Sequence, residues 1–192
     1  MYTFYNSNDL LSSNDFFDHF SHVLRNALVA SQELASIVEV DLLKVLTMLF
    51  KNNETNENDD TLQLNSWIVK LRQTITSACV ETFTIASRLN GSLYGQVLSV
   101  LREHIANTKS WEGIEASELG KLLIDVSQAV TTESGDPNAV STNEIRVMCE
   151  AIKYINVTLS CASNDNNSND AKNVRVELLR NIMSSGSNSS LG

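Results

Sequence analysis

Apolar side chains recur every three or four residues along almost the whole chain, and this periodicity constrains the fold more than any other feature. A repeat of about 3.6 residues places apolar side chains on one face of a helix. The 192 residues include only seven Gly and one Pro, whereas a sandwich or barrel needs turn-forming residues about every ten positions. The sequence therefore predicts an all-α fold, a single bundle of five to seven helices.

The third periodic segment is the longest and predicts the central helix of the bundle. It begins at Asp60, with Gln63 as the capping-box partner, and keeps one apolar face for about six turns. The Asn90-Gly91 pair is typical of a left-handed C-cap and predicts the end of this helix. The predicted face comprises Leu64, Ile68, Leu71, Ile75, Ala78, Cys79, Thr82 and Ala86.

Other helix starts and core positions follow from the same patterns. The first helix is predicted to begin at the cap-like Ser13-Asn14, and the sixth at Ser141, which forms an S-x-x-E capping box with Glu144. The centres of the apolar faces are predicted to be buried: Phe16, Phe20, Leu46, Leu49, Leu71, Ile75, Cys79, Leu101, Leu123, Val126, Ile145, Met148 and Ile152.

Composition divides the chain into a bundle and a polar C-terminal part. Residues 1–162 are predicted to form the helical bundle, 163–170 an Asn-rich linker, 171–183 a short terminal helix and 184–192 a flexible Ser/Gly tail. The Asn-rich stretch 52–60 carries no apolar side chain, so we expect a mobile loop there.

Charge and hydropathy exclude several classes of function. The chain has 14 Lys and Arg against 23 Asp and Glu, a net charge of −9. It has no basic cluster, so we expect no nucleic-acid partner. It has no run of about eighteen apolar residues, so we expect no membrane partner. The first residues do not form a signal peptide, which favours either a cytoplasmic protein or a domain of a longer secreted chain.

No motif in the sequence predicts catalysis, a metal site or a cofactor. The phosphate-binding, dinucleotide-binding, zinc-protease, CxxC and nucleophile-elbow motifs are all missing. His19 and His22 are spaced like metal ligands, but zinc takes four ligands and His104 is the one other histidine. We expect no enzymatic activity, no bound metal and no cofactor.

The three cysteines leave their redox state open. Cys149 and Cys161 lie twelve residues apart in one helical pattern, about 18 Å along the axis, which is beyond the reach of a disulfide. Cys79 could pair with either of them and leave one thiol free. Alternatively, all three are small buried apolar side chains.

Four segments of the chain resemble a known family of structural proteins. The family is that of spider-silk proteins (spidroins), whose globular helical domains occur as N-terminal domains and as repeat units. The resemblance covers about half the chain in short motifs. These are Asp15-Phe16-Phe17-Asp18-His19-Phe20-Ser21-His22-Val23-Leu24, Leu62-Gln63-Leu64-Asn65 with Ala78-Cys79-Val80-Glu81, and Gly135-Asp136-Pro137-Asn138-Ala139-Val140-Ser141-Thr142-Asn143-Glu144-Ile145-Arg146.

The resemblance implies a non-enzymatic structural domain of a silk-like secreted protein. Such a domain would be acidic and soluble, with pH-dependent self-association into a homodimer or larger assembly. Glu81 and Glu144 match acidic positions of the family, and Glu39 or Asp41 lies where its second helix is acidic. These four carboxylates are the candidate pH-responsive assembly residues. The basic partner that precedes the family's central helix is missing, because Asp59, Asp60 and Thr61 occupy that place here.

The silk-like hypothesis carries a prediction, and a second hypothesis competes with it. Lowering the pH from about 7.5 to about 5.5 should promote self-association, and Glu81→Gln or Glu144→Gln should move that transition to higher pH, because a carboxylate close to another acid takes up its proton first. The alternative function is an intracellular or viral adaptor that binds a partner helix in a groove between two of its own helices.

Overall fold

The chain folds as a bundle of helices joined by short connections. A computed structural model describes residues 14–30, 32–51, 59–132, 142–164 and 169–187. Within these ranges there are seven helices and no strand, so the predicted all-α bundle of five to seven helices is confirmed. The helices are α1 (Asn14–Val29), α2 (Gln32–Lys51), α3 (Asp59–Leu89), α4 (Gly91–Thr108), α5 (Ala116–Thr132), α6 (Thr142–Asn164) and α7 (Asn169–Ser187).

Helix α3 is central, as its long apolar face predicted. It packs against α1, α2, α4, α5 and α6, and Leu71, Ile75 and Cys79 on its predicted face are at most 1% exposed. Elsewhere α4 packs most extensively on α6, and α5 on α7. Helix α2 packs mainly on α4 and α1, and α7 mainly on α5 and α6. Because α2 and α7 share none of their main neighbours, they lie in different parts of the bundle.

Most of the predicted core lies inside the bundle. Half-buried side chains from the predicted set pack against the core: Phe16, Phe20, Leu49 and Leu123. The remaining members, apart from two on α6, are buried: Leu46, Leu71, Ile75, Cys79, Leu101, Val126 and Met148.

The predicted face of α6 is wrong at two positions. Ile145 and Ile152 are 51% and 41% exposed, whereas Val147 and Tyr154 are fully buried. The cause lies in α4, where glycines leave room for the close approach of α6. A Cβ at Gly91 would lie 3.2 Å from Cγ2 of Val147. Val147 therefore faces α4 at this narrow contact, while Tyr154 points inward to α3, where its hydroxyl lies 3.1 Å from Oγ1 of Thr76.

The Asn90-Gly91 pair does not form the predicted left-handed cap. Asn90 has φ −140° and ψ 49°, and Gly91 already belongs to α4. The side-chain amide of Asn90 donates a hydrogen bond of 3.1 Å to the carbonyl of Ala27 in the last turn of α1. The pair thus serves tertiary packing: the amide adds a second hydrogen bond to a helix-end carbonyl that also accepts from the N–H of Ala30 at 3.4 Å, and the glycine allows α6 to approach.

Left-handed backbone occurs in the connection from α4 to α5. Lys109, with φ 51°, ends α4, and its N–H donates to the carbonyl of Ile105 at 2.8 Å. Gly113 has φ 77°, and a Cβ there would lie 2.6 Å from the carbonyl oxygen of Val69 on α3. Glycine is required at position 113 both by conformation and by this contact.

The C-terminal helix is longer than predicted. Helix α7 runs from Asn169 to Ser187, beyond the predicted 171–183 at both ends. Other predictions fall outside the described ranges, namely the caps at Ser13 and Ser141 and most of the predicted loop, linker and tail (52–58, 165–168 and 188–192).

Candidate interaction surfaces

The described histidines do not assemble into a ligand set. No group of three or more His, Cys, Asp or Glu side chains in the described ranges could hold a metal ion. His19 and His22 are exposed on α1. His104 is buried in α4, where its ring lies 4.6 Å from that of Phe50, centroid to centroid.

All three cysteines are free thiols in very different surroundings. Cys79 is buried, Cys161 is half-buried and Cys149 is exposed. The Cys79 disulfide is therefore not formed, and the alternative of three buried cysteines is wrong at Cys149. Burial raises the pKa of the Cys79 thiol to about 12, so this residue acts as an apolar packing group of α3.

Two of the four candidate assembly carboxylates lie in ion pairs within the chain. Arg25 of α1 contacts Glu81 of α3 twice, through Nε at 2.8 Å and Nη2 at 3.0 Å. Nε of Arg88 on α3 lies 3.3 Å from Glu144 on α6, whose side chain is 11% exposed. Each carboxylate thus faces a guanidinium and joins two helices of the same bundle.

The other two candidates belong to α2. The side chain of Glu39 lies outside the described residues. Asp41 is exposed and lies four residues from both Ile37 and Val45. The four predicted residues are therefore distributed over α2, α3 and α6, and the ion pairs of Glu81 and Glu144 give those two a structural role.

Glu118 on α5 lies among other acids, which the sequence pattern did not single out. Burial raises its pKa, with further upward contributions from Glu115 and Glu81, while the Ser77 hydroxyl and Lys121 act in the opposite direction. It lines an open polar cleft of about 400 Å³ formed by α1, α3 and α5. Because Glu81 belongs to α3, no spacing within α5 could have indicated this grouping.

An apolar stripe on α7 faces solvent. Val176, Leu179 and Met183 are 53%, 60% and 75% exposed, and intervals of three and four residues place them on one face. They line an open groove of about 560 Å³. Leu178, on the inward side of the helix, is 4% exposed. We call Val176, Leu179 and Met183 the α7 stripe.

Cationic side chains border the α7 stripe. Lys172 and Arg180 are exposed and lie four residues before and after Val176. Arg175 is half-buried and lies four residues before Leu179. A positively charged border is distinctive in a chain whose net charge is −9.

A second apolar stripe, on α2, has a more acidic setting. Ile37, Val45 and Met48 are 74%, 50% and 64% exposed, and we call them the α2 stripe. Asp41 lies between Ile37 and Val45 on the same face, and Glu33 and Lys44 are also exposed on that side of α2. The α2 stripe therefore has two acids and one base in its immediate surroundings.

A third, shorter patch lies on α6. It consists of Ile145 and Ile152, with the exposed Cys149 between them. Met183 of α7 and Ile37 of α2 are more exposed than either isoleucine, at 75% and 74%.

Comparisons of the chain with protein-family models, with curated proteins and with solved structures find no match. Among the described helices, none combines the length and apolar character needed to cross a lipid bilayer.

Proposed function

We propose that this protein is a non-enzymatic assembly module that self-associates through the α7 stripe. The proposal rests on the exposure of Val176, Leu179 and Met183 on one face of a helix whose opposite side is packed in the bundle. Contiguous apolar patches with a polar border are typical of protein–protein interaction sites. The resemblance of α1, α3 and α6 segments to spidroin domains supports a structural role in a silk-like secreted chain.

The expected association is weak at neutral pH. Burying a Val, Leu or Met side chain contributes about 1.5–3 kcal/mol, so the α7 stripe alone offers only a few kcal/mol. Two copies that each carry a net charge of −9 repel one another. Association should therefore be visible at high protein concentration and should strengthen when this repulsion decreases.

Sedimentation velocity from about 10 μM to about 1 mM tests the proposal, since this range covers the affinities expected of a small interface. The parent should form oligomers as concentration rises. A variant with Leu179→Ser and Met183→Ser should stay monomeric with an unchanged circular dichroism spectrum. The matched control carries Ile145→Ser and Ile152→Ser on α6 and should associate like the parent.

Three outcomes would contradict the proposed function. The first is a parent that stays monomeric over the whole concentration range. This outcome includes a parent that binds a helix of another protein and not a second copy of itself. The second is an α7 variant that still associates like the parent. The third is loss of association in the α6 control alone, which would place the contact on α6.

A further inference from the structure

We infer that the α7 stripe of one copy docks on the α2 stripe of a second copy. This inference rests on the proposed self-association and specifies which surface meets α7. The argument for it is the match of spacing and charge between the two stripes.

Both helices place an apolar side chain midway between two charged side chains of the same sign. The interval is four residues on each side, so the charges lie about 12 Å apart along either helix. At these positions the charges are positive on α7 and negative on α2, while the exposed Lys44 of α2 and Glu177 of α7 lie outside this set and carry the opposite sign. The two sets are Lys172, Val176 and Arg180 on α7, and Glu33, Ile37 and Asp41 on α2.

When the two helices lie parallel, the apolar side chains of one stripe lie beside those of the other, and the charged side chains lie beside charges of opposite sign. With Val176 beside Ile37, Arg180 comes level with Asp41. Met183, one turn further on, then comes level with the turn that holds Val45. In the antiparallel arrangement Val45 would fall beyond the N-terminal end of α7 and lose its apolar partner. The parallel register therefore covers more of both stripes.

Pairing of like stripes is disfavoured by charge. Two α7 stripes in contact would bring their positively charged borders together, and like charges across an interface oppose association. Two α2 stripes would bring together Glu33 and Asp41 of both copies, with one base per copy, Lys44, to offset these two acids. The α6 patch is a poor partner for α7, because the exposed Arg146 lies beside Ile145.

The location of the two stripes allows two kinds of assembly. Helices α2 and α7 share none of their main neighbours in the bundle, so docking of α7 on α2 is a contact between different surfaces. In a two-fold dimer, the α7 stripe of each copy docks on the α2 stripe of the other and no stripe stays open. Where two copies meet through one α7–α2 contact, one stripe of each kind stays open, and further copies can add there to form filaments or closed rings.

Charge reversal tests the pairing directly. Asp41→Arg and Arg180→Asp should each weaken association by about tenfold or more, since each places like charges in the contact. A mixture of the two variants, or both substitutions in one chain, should restore association. Sedimentation velocity gives the fold-change in association.

Matched controls separate the contact from net charge. Glu103→Arg on α4 changes the net charge as Asp41→Arg does, and Arg146→Asp on α6 matches Arg180→Asp; both controls replace exposed side chains. Asp41→Arg reduces the overall negative charge, so repulsion alone would make it associate more strongly than the parent. Weakening by Asp41→Arg but not by Glu103→Arg supports the inference.

The outcomes distinguish failure of the inference from failure of the proposed function. If Asp41→Arg associates as well as the parent while the α7 serine variant is monomeric, the α2 pairing is wrong and α7 still mediates assembly. Failure of the mixture to restore association also overturns the pairing. A parent that is monomeric throughout overturns both.

Discussion

His104 is kept neutral by its position in the bundle. Its side chain is 7% exposed and lies near Arg72, which is 2% exposed. Burial is the main reason that the pKa of His104 falls from 6.5 to about 4, and the positive charge of Arg72 is the second. From the sequence alone, this imidazole could have been a metal ligand at the surface. In the structure it is a buried packing group that resists protonation.

The pH dependence of stability follows from this histidine. Between pH 6.5 and about 4 the unfolded chain binds a proton that the folded chain does not. Stability should therefore be full above pH 6.5 and fall by about 3 kcal/mol as the pH is lowered through this window. Urea unfolding at several pH values measures the loss, and His104→Gln should reduce it. Equal losses in parent and variant would contradict the assignment.

At the scale of the element, α3 holds the bundle together and its two sides differ sharply. Leu71 and Ile75 are at most 1% exposed, whereas Ile85 on the same helix is 56% exposed. The same helix also makes buried polar contacts with its neighbours. Oγ1 of Thr76 lies 3.1 Å from the hydroxyl of Tyr154, and the Tyr94 hydroxyl donates to the carbonyl of Cys79 at 2.8 Å.

Replacing side chains of α3 by alanine should affect stability differently on its two sides. Leu71→Ala or Ile75→Ala should each lower the free energy of unfolding by about 2–5 kcal/mol, because each leaves a cavity at the centre of the bundle. Ile85→Ala, the control on the exposed side, should change it by no more than about 0.5 kcal/mol. Chemical denaturation measures all three. If the two core variants are as stable as the control, the assignment of α3 to the centre of the bundle is wrong.

At the scale of the whole molecule, the excess of nine negative charges opposes assembly. Protonation removes part of that repulsion, so lowering the pH from about 7.5 to about 5.5 should promote association without loss of helix. Glu118 and Asp125 are the described carboxylates whose pKa is raised, in both cases chiefly by burial. Glu118 is the one with acids among its neighbours, and it should be protonated early.

The test compares three variants with the same change of charge. Glu118→Gln should move the association transition to higher pH than Glu81→Gln or Glu144→Gln, whose carboxylates already face arginines. Sedimentation velocity across this pH range, with circular dichroism for helix content, gives the result. A protein that is monomeric at every pH would contradict the prediction. So would a protein that precipitates only near the sequence pI of 4.7, with the same pH dependence in all variants.

Helix formation and the central place of α3 were predictable from sequence, because apolar periodicity and capping act between residues a few positions apart. The inward face of α6 was not predictable, because it depends on where glycines of α4 permit close approach. The hydrogen bond of Asn90 was not predictable either, because its amide donates to a carbonyl of another helix. Nor were the acidic surroundings of Glu118, because its neighbour Glu81 comes from α3. The exposed stripes of α2 and α7 carry the same local pattern as buried ones. Only the packing of the other helices decided which apolar faces remained open, because burial is a property of the assembled bundle and periodicity is a property of one helix.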